Sequence, residues 1–99
     1  MNIKTKSGFS CEINEKKVGS WNTVDLYSKI SEASRNGNLG DLIELTKALY
    51  VFVLGDDGYK ALMDFVKDDD GIVSAEDMAR EFNAIMDAAN AKKSRPSQA

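Results

Sequence analysis

Ala48-Leu49-Tyr50-Val51-Phe52-Val53-Leu54-Gly55-Asp56 (ALYVFVLGD) is the most apolar stretch of the chain, and its reading decides the fold. The apolar run is far shorter than the ~20 residues that cross a bilayer. Upstream, Leu39, Leu42, Ile43 and Leu45 recur at short helical steps, so the run reads as the end of a helix. A helix that is apolar all round is either central to a core or committed to a partner. Gly55 predicts its end. Asp56 then caps a short helix over about 57–67, whose inward face is Ala61, Leu62, Phe65 and Val66.

Outward from that centre the punctuation is regular. Towards the N-terminus, Arg35-Asn36-Gly37 stops a helix expected over 23–35, which carries Val24, Tyr27, Ile30 and Ala33 with Leu26 beside them. Asn22 or Thr23 caps it, and Asn38 or Gly40-Asp41 opens the next one. Residues 14–19 read as a polar connection. Ile3, Thr5, Phe9, Cys11 and Ile13 alternate with polar neighbours, which predicts strands over 2–6 and 9–13 about a Ser7-Gly8 turn. A lone two-stranded ribbon is marginal in water, so this hairpin must lie on helices or join another copy. Towards the C-terminus, a helix over 75–92 presents Met78, Phe82, Ile85, Met86 and Ala89 on one side, and Lys92 and Lys93 complement its dipole. Residues 94–99, with the only proline, read as a disordered tail after a single domain over 1–93. The expected fold is mainly α, about four helices, with a short N-terminal β-hairpin.

Composition narrows the function. The chain has 99 residues, 42% of them hydrophobic and 29% charged, with a net charge of −3. It therefore carries no overall cationic field for nucleic acid or anionic lipid, which disfavours a helical DNA-binding regulator. There is no histidine, so the commonest general base and transition-metal ligand is missing. Cys11, the single cysteine, reads as a small half-buried strand residue with no base to activate it. The first residues lack the apolar segment of a signal peptide, and the expected location is the cytoplasm.

One stretch invites a metal. Val66-Lys67-Asp68-Asp69-Asp70-Gly71-Ile72-Val73-Ser74-Ala75-Glu76-Asp77 has the outline of a calcium-binding EF-hand loop. With Gly71 at the loop's sixth position, Asp68 and Asp70 fall on the third and fifth. Val66, however, occupies the first position, where an oxygen ligand belongs, and Asp77 the last, where a glutamate clamps the ion. The same residues make a turn followed by a near capping box from Ser74 to Asp77. Gly37-Asn38-Leu39-Gly40-Asp41 lacks the Lys-Ser/Thr of a phosphate-binding loop, and the Glu76/Asp77 pair has no pocket around it. No catalytic residue, metal or cofactor is expected.

Read from its residues, the chain is a small, non-catalytic, mostly helical domain with an over-apolar helix, which points to binding proteins, itself included. In order and spacing it also resembles the short tail assembly chaperones of long-tailed phages and prophages of Gram-positive bacteria. The resemblance is carried by Lys6-Ser7-Gly8-Phe9-Ser10-Cys11-Glu12-Ile13, Trp21, Leu54-Gly55, Tyr59 to Leu62, Asp69-Asp70-Gly71-Ile72-Val73 and Ala91-Lys92-Lys93-Ser94. It implies a helical protein that coats the tape measure protein, recruits tail tube subunits and is absent from the mature virion. It also implies a longer frameshifted form in many members, although Ser94 here follows Lys93 directly where the family has a Lys-Asn-Ser-like stretch. Leu49, Tyr50, Phe52 and Val53 are the candidate partner-contact residues, with core packing as their other role. A degenerate EF-hand-like, calcium-responsive interaction module is the alternative.

Overall fold

Asn2–Lys4 (β1) and Ser10–Glu12 (β2) form an antiparallel ribbon with Ile3 opposite Cys11 in a computed structural model that describes residues 1–94. Four helices follow: α1 (Glu15–Val18), α2 (Trp21–Arg35), α3 (Leu39–Val66) and α4 (Ala75–Ser94). The mainly helical fold with an N-terminal hairpin is as expected. Most of the tail expected over 94–99 lies outside the described residues; Ser94 itself closes α4.

α3 is the centre of the molecule, and it is broken in the middle. Gly55 has φ 78° and ψ 168°, a conformation essentially restricted to glycine. Residues 39–54 and 56–66 are thus two helical arms. In a straight helix Thr46 and Met63 would stand about 25 Å apart at 1.5 Å per residue. Here they line one groove, because the second arm swings back beside the first. Gly58 is the second requirement of the bend: a Cβ placed on it would stand 3.0 Å from the Cβ of Leu54.

The all-round apolar run is explained by what surrounds it. α2 and α4 both pack against α3, and the hairpin and the second arm contribute to the same core. Leu49, Val53 and Leu54 are buried, and Tyr50 stacks on Phe82 of α4 with ring centroids 4.3 Å apart. Met78, Phe82, Ile85, Met86 and Ala89 are all buried, as their spacing predicts. The hairpin contributes Ile3, Phe9 and Ile13 from its inner face, and Phe9 meets Phe65 of the second arm at 5.2 Å. On that arm Leu62 is fully buried, whereas Ala61 is exposed and Phe65 partly so.

Several expectations shift. The strands are shorter than 2–6 and 9–13, because Thr5 and Ser7 turn their hydroxyls towards α4. The connection over 14–19 contains α1, capped by Asn14 Oδ1, which accepts from the Lys16 amide, and anchored by buried Val18. α2 begins at Trp21, ahead of Asn22 and Thr23, because Ser20 takes the cap: its Oγ accepts from the Thr23 amide at 3.2 Å. The Ser20 and Thr23 hydroxyls both donate to the Lys17 carbonyl, at 2.8 and 2.6 Å, and lock α1 to α2. The inward line of α2 is consequently Thr23, Leu26, Ile30 and Ala33, while Val24 and Tyr27 face outward.

The bend makes a direct prediction. Gly55→Ala lowers stability by about 1–3 kcal/mol through backbone strain alone, since its Cβ would meet nothing. Gly58→Ala is also destabilising, through the Leu54 contact. Gly40→Ala is the control: its Cβ meets only Asn38 Oδ1, at 3.8 Å, and helix propensity favours alanine by about 1 kcal/mol. Urea unfolding of the three variants checks the order.

Candidate functional site

The acidic turn can be placed first. Asp68 Oδ1 accepts the amides of Asp70 at 2.9 Å and Ile72 at 3.0 Å, which commits that oxygen to the turn itself. Val66 is half-buried at the end of α3, packed against the core. Ser74 Oγ caps α4 by accepting from the Asp77 amide, but Asp77 does not return the bond and holds Arg80 at 2.8 Å instead. Among the described residues no three His, Cys, Asp or Glu side chains are grouped to hold a metal ion. The segment serves as a turn and a cap.

The four candidate contact residues lie mostly inside. Leu49 and Val53 are buried, and Tyr50 is only 8% exposed. Phe52 is half-buried, with the Lys17 ammonium 5.1 Å above its ring. In this fold they offer little surface to a partner. Of the four only Tyr50 reaches the edge of a groove; apolar surface among the described residues is open at that groove and on α2.

The first is a groove of about 420 Å³ between the arms of α3 and the start of α4. Leu42, Ile43, Thr46 and Tyr50 line it from the first arm, Tyr59 and Met63 from the second, and Val73 and Met78 from the turn and α4. Ile43 is 65% exposed, with Leu39 open one turn before it and Ile72 open beside Val73. Among the described residues Lys47 is the one charged residue in the lining, and Asp68, Asp69 and Asp70 stand exposed in the turn that leads to Val73. The groove exists because Gly55 folds the arms together and the turn returns the chain across their open side. Its two methionines are unbranched and adaptable, a property common in surfaces that accept other chains.

The second is a ridge on α2. Trp21 is 79% exposed and Val24, one turn on, is half-exposed. Tyr27 continues the line to a position near Asp87 of α4. A tryptophan this open is unusual for a residue that normally buries most of its area. The residue's early place in α2 explains it: Ser20 caps the helix, and the core-facing line starts at Thr23.

A buried polar cluster was not foreseen. Glu81, 8% exposed on the otherwise apolar face of α4, accepts Thr5 Oγ1 at 2.5 Å and Ser7 Oγ at 2.6 Å. The two hydroxyls replace the water that the carboxylate loses on burial. They fasten the hairpin turn to α4, and Lys92 Nζ fastens the other end by donating to the Asn2 carbonyl. Cys11 sits half-buried on the ribbon, and burial, followed by the Glu12 carboxylate, pushes its thiol pKa up. That is opposite to the activation a nucleophile needs.

Burial also raises the pKa of Tyr50, with smaller contributions from Tyr27 and Tyr59. Well below pH 10.0, the ordinary tyrosine value, both folded and unfolded chains keep this phenol protonated and its contribution is intact. As pH rises past that value the unfolded chain ionises first, so stability falls until Tyr50 itself ionises. Urea midpoints measured between about pH 8 and 11 should therefore drop at the alkaline end, and Tyr50→Phe should flatten that drop.

Comparison of the chain with protein-family models, with curated proteins and with solved structures returns no match.

Proposed function

We propose that the chain is a non-catalytic protein-binding module of the tail assembly chaperone kind, which coats a tape measure protein and recruits tail tube subunits in the cytoplasm of a bacterial host. The observation that carries the binding reading is apolar surface left open at two separate places, the groove and the ridge, on a domain whose core is already complete. Contiguous open apolar surface of this kind marks contact sites. The specific partner rests on the resemblance that runs along nearly the whole chain. Weak contacts repeated along a long helical partner gain strength through multivalency, so a small groove suffices. Among the described residues no helix is long and apolar enough to cross a membrane.

Co-expression with the tape measure and tube proteins of a tail gene cluster tests the reading. The chain should co-purify with both, several copies per tape measure protein, and failure to bind either counts against it. Millimolar calcium should leave its melting temperature unchanged. A calcium-dependent rise abolished by Asp70→Ala would favour the calcium-responsive module instead.

A further inference from the structure

The ribbon is hydrogen-bonded to itself. Ile3 pairs with Cys11, the Thr5 amide donates to the Phe9 carbonyl at 2.9 Å, and the Ile13 amide donates to the Met1 carbonyl at 2.9 Å. Among the described residues no backbone bond runs from residues 1–13 to a helix. Side chains alone hold the ribbon down: Ile3, Phe9 and Ile13 in the core, and a polar tie at each end. Lifting the ribbon as a unit therefore breaks no rung of its ladder. The helices beneath keep their own framework, because Asn14 caps α1, the Ser20 and Thr23 hydroxyls lock α1 to α2, and Phe82 stacks on Tyr50.

The tie at the turn is built around one carboxylate. Thr5 Oγ1 donates to Glu81 Oε1, and Ser7 Oγ lies 2.6 Å from both Glu81 oxygens. Thr5 Oγ1 also accepts the Phe9 amide at 3.2 Å, so Glu81 grips the ladder through its last rung. Among the described residues Glu81 has no ion-pair partner, and its hold rests on these two hydroxyls. Bonds to a charged acceptor are stronger than neutral ones, yet water can replace them where it has access. Access is present: an open notch of about 670 Å³, lined by Lys4, Lys6, Arg80, Ala84 and Ala88, runs beside the tie.

We propose that residues 1–13 form a strap that opens as one unit about Asn14, with Glu81 as its latch, and that the open form bares an apolar face of α4 and the second arm of α3. Phe65, 43% exposed and in contact with Phe9, marks the edge of that face. Contiguous segments that carry their own hydrogen bonds are the units in which folded proteins open below the threshold of global unfolding. The latch thus sets how much hidden apolar surface the domain presents. This goes beyond the proposed function, since it concerns the chain's own fold and holds whatever the chain binds.

Native-state hydrogen exchange on the full chain tests the strap. In the wild type the Thr5, Cys11 and Ile13 amides should exchange together, at least tenfold faster than those of Leu49 and Val53 in the first arm of α3. Their exchange should also depend less steeply on added urea than global unfolding does. Glu81→Ala should speed the ribbon amides by about ten- to a hundredfold and leave those of Leu49 and Val53 within a few-fold. Glu81→Gln, which keeps one acceptor oxygen, should fall between. Ser7→Ala removes a single donor from an exposed residue and serves if Glu81→Ala unfolds. A dye that lights up on exposed apolar surface should brighten with Glu81→Ala while the helical circular dichroism is kept.

Ribbon amides as slow as those of the first arm in the wild type would overturn the proposal, because the ribbon would then leave only when everything unfolds. So would variants that speed all protected amides alike, since Glu81 would then support the whole domain and latch nothing. Faster ribbon exchange with no gain in dye binding would also overturn it, by showing a ladder that frays in place over a covered core.

Discussion

One backbone conformation organises this molecule. With φ 78° and ψ 168°, Gly55 turns a long helical segment into two arms that share a side. Without the bend, the second arm would run out into solvent and leave Leu62, now fully buried, without neighbours. The acidic turn would then deliver α4 to another place, and Phe82 would lose its stacking on Tyr50. The bend costs backbone strain, which burial of the apolar run between α2, α4 and the hairpin offsets, at about 25 cal/mol per Å² of apolar surface. Gly58 is part of the same constraint, because two arms that fold this closely leave no room for its Cβ beside Leu54.

Much of this was legible in the sequence, for identifiable reasons. Met78, Phe82, Ile85, Met86 and Ala89 keep strict helical spacing on an otherwise polar segment, so their burial could be read directly. Gly55 stood at the end of an unbroken apolar run, where a break was the natural reading. What that run faced could not be read. An apolar helix looks the same in sequence whether neighbouring helices or a foreign chain surround it, and here neighbours enclose Leu49, Tyr50 and Val53. On α2, Ile30 and Ala33 face inward as their spacing predicts, but the first half of the helix was misread. Val24 and Tyr27 carry more apolar area than Thr23, yet Thr23 goes inside, because its hydroxyl satisfies the Lys17 carbonyl at 2.6 Å. Local hydrogen bonding outweighed side-chain hydrophobicity there.

The groove was half visible. Leu39, Leu42 and Ile43 were counted in a broad apolar surface, but Tyr59, Met63 and Val73 join them only after two changes of chain direction. No spacing rule brings residues from both arms and the turn together. The cluster of Glu81 with Thr5 and Ser7 was hidden for a similar reason. A glutamate next to Phe82 reads as a solvated helix position until the hairpin turn is known to lie above it.

That cluster also has a bearing on the order in which the molecule can be completed. Thr5 and Glu81 are separated by 76 positions, whereas α2 and the first arm of α3 are immediate neighbours in the chain. During synthesis from the N-terminus the hairpin emerges early; Phe9 can meet Phe65 only when the second arm of α3 has been made, and Thr5 and Ser7 have no Glu81 until α4 follows. Local helix pairing can proceed meanwhile, whereas closure over so long a loop must first meet its entropic cost. A nascent chain would thus pass through an interval in which Ile3, Phe9 and Ile13 are exposed with a paired but unanchored ribbon. The seal on the finished domain is a carboxylate meeting two hydroxyls made much earlier.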